Sequence, residues 1–140
     1  MTKQTKDGTA KVQLEQELQH FMGDIVRYRH PLNQKVIYTP GVRHLAEKAE
    51  AYWLIDAIAS WIGSPEFDQA ATHDARIDEM HFWTLEVTAD QSALLFAKAD
   101  GPDKAFIEQP LEWTDFPLPK IDIWAAFDGS HWTLYLPSEH

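Results

Sequence analysis

The stretch Ile121-Asp-Ile-Trp-Ala-Ala-Phe-Asp-Gly-Ser-His-Trp-Thr-Leu-Tyr-Leu136 decides the fold class. Its apolar residues recur with a period of two on both sides of Asp128-Gly129, the pair most favoured in a tight type I′ turn. Folding there sets Ala125 opposite Trp132, Ile123 opposite Leu134 and Ile121 opposite Leu136, so one face is wholly apolar. The other face carries Asp122, Trp124, Ala126, His131, Thr133 and Tyr135, half of it polar and with two large aromatics.

Upstream, the same period of two runs through Trp83, Leu85 and Val87, which alternate with Thr84, Glu86 and Thr88. With Asp90-Gln91 as the hairpin tip, Val87 falls opposite Leu94 and Leu85 opposite Phe96. Gly101-Pro102-Asp103 makes another turn, and Lys104 to Gln109 reads as a third strand. Pro110, Pro117 and Pro119 make 110–120 a rigid connector, since proline cannot donate to a sheet ladder.

The first half of the chain has helical spacing instead. Leu14, Leu18, Phe21 and Ile25 form one stripe, with Gly23 as a stop signal. Residues 24–38 break the pattern, and Lys35 to Tyr38 reads as a short strand. Thr39-Pro40 carries a helix-start signature, with Val42, Leu45, Ala46 and Ala49 as the apolar stripe. Ala51 to Ile62 is apolar almost all round, as in a central buried helix, and Gly63-Ser64-Pro65 ends it and opens a further short helix over 65–71. Residues 72–79 follow as an acidic connector or helix. Helices first and strands after is the pattern of an α+β fold. The expectation is a single domain over 11–140 with a flexible stretch at 1–10, its N-terminal helices packed on a four- or five-stranded antiparallel β-meander.

The charge is strongly negative: 12 Lys+Arg against 22 Asp+Glu in 140 residues, a net −10 at pH 7. Residues 1–70 hold 8 basic and 9 acidic side chains, and residues 71–140 hold 4 and 13, so a net −9 sits in one half. This argues against a general phosphate-binding surface and against anionic membranes, and makes direct nucleic-acid binding an unfavourable reading. No cysteine is present, which removes disulfides, thiolate metal sites and cysteine nucleophiles. No apolar run approaches the ~20 residues that span a bilayer, and no secretory signal is visible, so a cytoplasmic location is the expectation. With 44% apolar residues the chain has enough material for a core.

Several constellations bear on chemistry. Tyr28-Arg29-His30, with Tyr38, Arg43 and His44 following and Arg27 and Lys35 alongside, forms the basic region of the chain. It reads as an anion or small-ligand site, or as a structural cluster in which Arg29 pairs with Asp56. Tyr52, Asp56 and Ser60 share one helix face, and a carboxylate on so apolar a helix calls for a partner or a cavity. The seven histidines lack the spacing that puts two ligands on one helix face, and Asp74, Asp78 and His81 are the nearest approach, so no metal is expected. Five serines with no nucleophile elbow and six glycines with no phosphate loop give no catalytic residues and no cofactor. Last, Asp122, Trp124, His131 and Tyr135 combine carboxylate with aromatic rings on the outer sheet face, a composition found at the centres of protein interfaces.

Tyr28-Arg29-His30-Pro31-Leu32, Val36-Ile37-Tyr38-Thr39-Pro40-Gly41-Val42, Leu45-Ala46-Glu47 and Ala51-Tyr52-Trp53-Leu54-Ile55-Asp56-Ala57-Ile58-Ala59 resemble a family of small bacterial and mobile-element proteins known only as a domain of unknown function. Phe82-Trp83, Thr114-Asp115-Phe116-Pro117-Leu118 and Leu134-Tyr135-Leu136-Pro137-Ser138-Glu139 fit it as well, while Phe21-Met22-Gly23 departs where a Thr before the Gly is expected. The resemblance implies one compact domain with polar signature residues at 28–30 and 56, and no activity. An association with mobile elements implies an accessory role, such as blocking a host defence. Two functional readings follow. The first is a non-enzymatic interaction module or inhibitor that binds a protein with a basic surface through the acidic half. The second is a ligand-binding domain or enzyme with a Tyr28/Arg29/His30/Asp56 pocket. The oligomeric state stays open, a homodimer included.

Overall fold

The computed structural model describes residues 11–19 and 26–140; Phe21, Gly23, Ile25 and the stretch 1–10 lie outside the described residues. Helix α1 (Lys11–Gln19) buries Leu14 and Leu18, the two described members of its stripe. Strands β1 (Tyr28–Arg29) and β2 (Val36–Tyr38) follow. Helix α2 (Pro40–Lys48) starts where its sequence says: Pro40 takes the first position and the Thr39 hydroxyl accepts from the Val42 amide at 3.3 Å. Helix α3 (Tyr52–Trp61) ends before Gly63, whose φ of 86° suits glycine. Helix α4 (Pro65–His73) is capped by Ser64 and runs two residues past the expected end at 71. A 3₁₀ turn over Ala75–Asp78, capped by Asp74, leads into the sheet.

The remaining strands are β3 (Met80–Val87), β4 (Ala93–Lys98), β5 (Ala105–Leu111), β6 (Lys120–Phe127) and β7 (Trp132–Tyr135). The class is α+β, but the sheet has seven strands in the order β1-β2-β7-β6-β3-β4-β5, two more than the largest meander expected. It is also mixed, because β2 pairs parallel to β7 while every other pair is antiparallel. The reason is length. The two-residue β1 carries too short a pattern to be read locally, and although β2 falls within the strand read at 35–38, only its docking against β7, with Thr39 N donating to Leu134 O at 3.2 Å, joins it to the sheet.

Both hairpins depart from the expected register. Across β3 and β4, Val87 faces Ala93 and Leu85 faces Leu95, one residue off, so Leu94 and Phe96 lie on the opposite face from Leu85. The loop is three residues long, with Gln91 at φ 69°, closed by Thr88 N to Ser92 O and held by the Asp90 carboxylate, which accepts from the hydroxyls of Thr88 and Ser92. Across β6 and β7, Ala125 faces Leu134 and Phe127 faces Trp132, a shift of two that leaves the faces unchanged. There the chain reverses over four residues, because Asp128 accepts from the amides of Ser130 and His131 at 2.8 and 2.7 Å.

The inward face of the sheet and the helices form one core, in which Trp83, Leu85, Leu95, Ile123, Ala125 and Leu134 are buried beneath Leu45, Leu54, Ile58 and Phe67. The opposite face keeps no such cover. Phe82, Phe96 and Trp124 there remain half-buried.

Candidate functional site

In the first candidate, residues 28–56, the structure brings some members into contact and leaves Arg29 apart. Tyr28 pairs across from Tyr38, with ring centroids 5.7 Å apart. The Arg43 guanidinium lies 4.5 Å over the Tyr28 ring, and its Nε is 3.3 Å from the Glu47 carboxylate, which also accepts from the Tyr52 hydroxyl at 3.2 Å. The hydroxyls of Tyr28 and then Tyr52 hold the Arg43 guanidinium above its ordinary pKa, and burial raises that of Tyr38.

At the centre of this region is His30, 3% exposed, with Nε2 2.8 Å from the Asp56 carboxylate. Its Nδ1 accepts from the amides of Asn33 at 2.9 Å and Leu32 at 3.2 Å, which fixes the Nε2–H tautomer. Asn33 then donates to the carbonyls of Ala59 and Ile62 at the end of α3. The imidazole is thus a staple between the 30–35 turn and α3, with both nitrogens engaged and none presented to a reactant. The expected Arg29–Asp56 pair is replaced by His30–Asp56; Arg29 is exposed opposite Ile37. Strand alternation explains this, since Arg29 points to the other face from Tyr28. Asp56 is not buried either: its side chain is 64% exposed, because α3 buries only one side, through Leu54, Ile55, Ile58 and Ala59. Ser60 turns back to the Ala57 carbonyl and takes no part.

The second candidate is the helix-free sheet face. Trp124 meets Phe82 edge-on at 5.3 Å and Tyr135 at 6.1 Å. Asp122 accepts from the Thr84 hydroxyl at 2.8 Å beside them. Burial raises the Tyr135 pKa. His131 stands apart on the β6–β7 loop. One groove of about 400 Å³ on this face is lined by Phe82, Phe96 and Trp124 with Glu86, Asp100 and Asp122, and also by Lys98 and Lys120. Its lining is close to neutral, so most of the negative charge of the second half lies away from the aromatic rings. A second groove of about 290 Å³ lies beside Tyr135 and includes Arg27, Phe127 and Asp128. Two further grooves lie elsewhere, one between α4 and the β4–β5 turn and one between α1 and the start of β6. None of these four is lined by Tyr28, Arg29, His30, Tyr38, Arg43, Tyr52 or Asp56.

Two features escaped sequence reasoning. Glu139, in the 3₁₀ turn Pro137–Glu139, reaches back to the start of α2: its carboxylate accepts from Thr39 Oγ1 at 2.6 Å, Leu136 N at 2.9 Å and Gly41 N at 3.3 Å. A Cβ at Gly41 would stand 2.7 Å from that carboxylate, which accounts for the glycine. The other is His81. The residue grouped with Asp74 and Asp78 as a metal candidate is fully buried, with Nδ1 donating to Ile77 O at 3.1 Å and Trp132, Phe67, Phe106 and Trp83 packed around the ring at 4.8–5.8 Å. Asp74 pairs with Arg76 instead. Burial pushes the His81 pKa down to about 4. Among the described residues, His81 Nε2 and Trp83 Nε1 have no hydrogen-bond partner, and no group of three His, Asp or Glu side chains is placed to hold a metal ion.

Fold and surface together define a small α+β domain with a helix-covered core and an open aromatic sheet face. It belongs to the family described as Family of unknown function (DUF6876), whose model matches residues 12–140. No curated protein and no solved structure matches the chain. No helix among the described residues is long and apolar enough to cross a membrane.

Proposed function

We propose that this domain is a non-enzymatic binding module for another protein and that it works through the helix-free sheet face. The observation that carries this reading is the row Phe82–Trp124–Tyr135, half-buried or nearly buried rings in edge-to-face contact, flanked by the two grooves of that face. A sheet normally covers its apolar face, and clustered rings left at the surface mark interaction sites. The net −10 favours a partner with a basic surface by long-range attraction, and each groove offers a carboxylate to it, Asp122 beside Lys98 and Lys120 in the first and Asp128 in the second. Occupying a basic surface in this way is how an inhibitor of a nucleic-acid-processing protein would act. The ligand-pocket reading of residues 28–56 has less support, since His30 is consumed as a staple and Arg43 is already caged by Tyr28 and Glu47.

Selection of binders from a displayed random-peptide library, mapped by amide NMR, tests the reading. The expected binders are rich in Lys or Arg, weaken as salt rises, shift residues of β3, β6 and β7, and fail against Trp124→Ala. Binders that map to Tyr28, Arg43 and Tyr52 instead, or that ignore Trp124→Ala, overturn it.

A further inference from the structure

The outer face of the sheet extends well beyond its aromatic row. Cross-strand register sets Tyr135, Trp124, Phe82 and Lys98 side by side over β7, β6, β3 and β4. The next row, over β6, β3, β4 and β5, is Asp122, Thr84, Phe96 and Glu108. The row beyond it is Lys120, Glu86, Leu94 and Pro110. Rings and aliphatic groups hold the middle, where Phe82, Trp124, Phe96 and Leu94 are half-buried, while Glu86, Glu108 and Lys120 are exposed around them. Two lysines stand here against three carboxylates, a net −1 on a chain of net −10. Almost all the charge that would repel a second copy therefore lies elsewhere.

We propose that in the free protein this face is covered by the same face of a second copy, in a weak two-fold dimer that a basic partner displaces. Displacement rests on the binding-module reading above; the dimer itself does not. A face that carries both signs is complementary to itself under a two-fold rotation, because what it presents on one side it receives on the other. Lys98 and Lys120 can each meet a carboxylate of the facing copy, and the rings between them interdigitate as the inner faces of two stacked sheets do. The area sets the strength. Five strands about 4.8 Å apart and three rows about 6.8 Å apart give a patch of about 24 by 20 Å. Two such patches bury about 1,000 Å², the lower bound for a specific interface, so the dimer forms in the micromolar range and exchanges readily.

Sedimentation equilibrium from about 1 to 200 µM tests this. The mass is expected to climb from 16.1 kDa toward twice that value. Raising the salt from about 50 to 500 mM is expected to tighten the dimer about threefold, because it screens the repulsion between two chains of net −10. Trp124→Ala is expected to weaken it about tenfold. Lys98→Glu with Lys120→Glu removes both cations of the face and is expected to weaken it about tenfold as well. Lys35→Glu with Lys104→Glu, at exposed positions off the face, makes the same change in net charge and is expected to weaken it less than threefold. A displayed peptide that maps to this face is expected to return the mass to 16.1 kDa. A mass that stays at 16.1 kDa at the highest concentration and salt overturns the dimer, as do lysine pairs of equal effect or a Trp124→Ala variant that dimerises undiminished. The binding-module reading survives that result if displayed peptides still map to β3, β6 and β7. Peptides that map elsewhere while the dimer forms overturn that reading and displacement, and leave the dimer standing.

Discussion

Lowering the pH from 7 to 5 should destabilise this domain through one side chain, His81. Its ring is fully buried among Phe67, Trp83, Phe106 and Trp132, and Nδ1 donates to the Ile77 carbonyl. Charging it there has no compensating partner, so burial holds the folded-state pKa near 4 against an ordinary 6.5. The unfolded chain therefore takes up a proton as the pH falls through 6.5, while the folded chain does not until about 4. Stability is full above 6.5 and declines between 6.5 and 4, with a total loss of about 3 kcal/mol from one proton. Integrated from pH 7 to pH 5, the loss is about 2 kcal/mol, which lowers the melting temperature by roughly 6 °C in a domain of this size. The carboxylates of Asp90, Asp74 and Asp128, held low by hydrogen bonds, lose their contributions only at lower pH and stay clear of this window. Urea unfolding at pH 7, 6 and 5 measures the slope. His81→Asn keeps a donor for the Ile77 carbonyl and removes the titration, so its slope should be flatter by about one proton's worth, roughly 1.4 kcal/mol per pH unit at most. The same slope in the variant, or an imidazole Cε1–H signal in the folded wild type that titrates near 6.5, would refute the argument.

Other outcomes follow from the packing. Glu139→Ala removes the carboxylate from the start of α2 and should cost about 1–2 kcal/mol, while Gly41→Ala should cost a similar amount by pushing the same carboxylate away. Because both act on one contact, urea midpoints of the double variant should show much less than the sum, and full additivity would count against it. His30→Ala should cost about 2–3 kcal/mol, since it strands the Leu32 and Asn33 amides, and should speed proteolytic cleavage within 30–35. Asp56→Ala, on the exposed side of the same bond, should cost about 1 kcal/mol or less, and equal losses would contradict the staple. Asp128→Ala should loosen the last turn by releasing the Ser130 and His131 amides, visible as faster hydrogen exchange at those two positions.

Much of the architecture was legible. Periodicity placed the helices at 40–48 and 52–61 and the outer and inner faces of β3, β6 and β7, and the caps Thr39 and Ser64 stand where their spacing put them. Register was less legible than face, because loop length depends on side-chain bonds inside the turn. Asp90 tied a three-residue loop that moved Leu94 and Phe96 to the outer face, and Asp128 lengthened the last turn without changing any face. Of the candidate residues, the structure sets Tyr28 against Tyr38 and Arg43, joins Tyr52 to them through Glu47, and puts Asp56 against His30. The partner of Asp56 was missed, since strand parity turns Arg29 away and His30 toward it.

The sequence by itself determined what local chemistry determines: the α+β class, the apolar faces, the capped helix starts and the unequal division of charge. These depend on neighbours within a few residues, where steric and hydrogen-bonding preferences act directly. Tertiary structure alone decided the contacts between residues far apart in the chain. It set β2 parallel to β7, brought Glu139 to Gly41, closed four aromatic rings around His81 and laid His140 against Trp124 and Tyr135. Each of these depends on distance in space, which no pattern along the chain encodes until the core has packed.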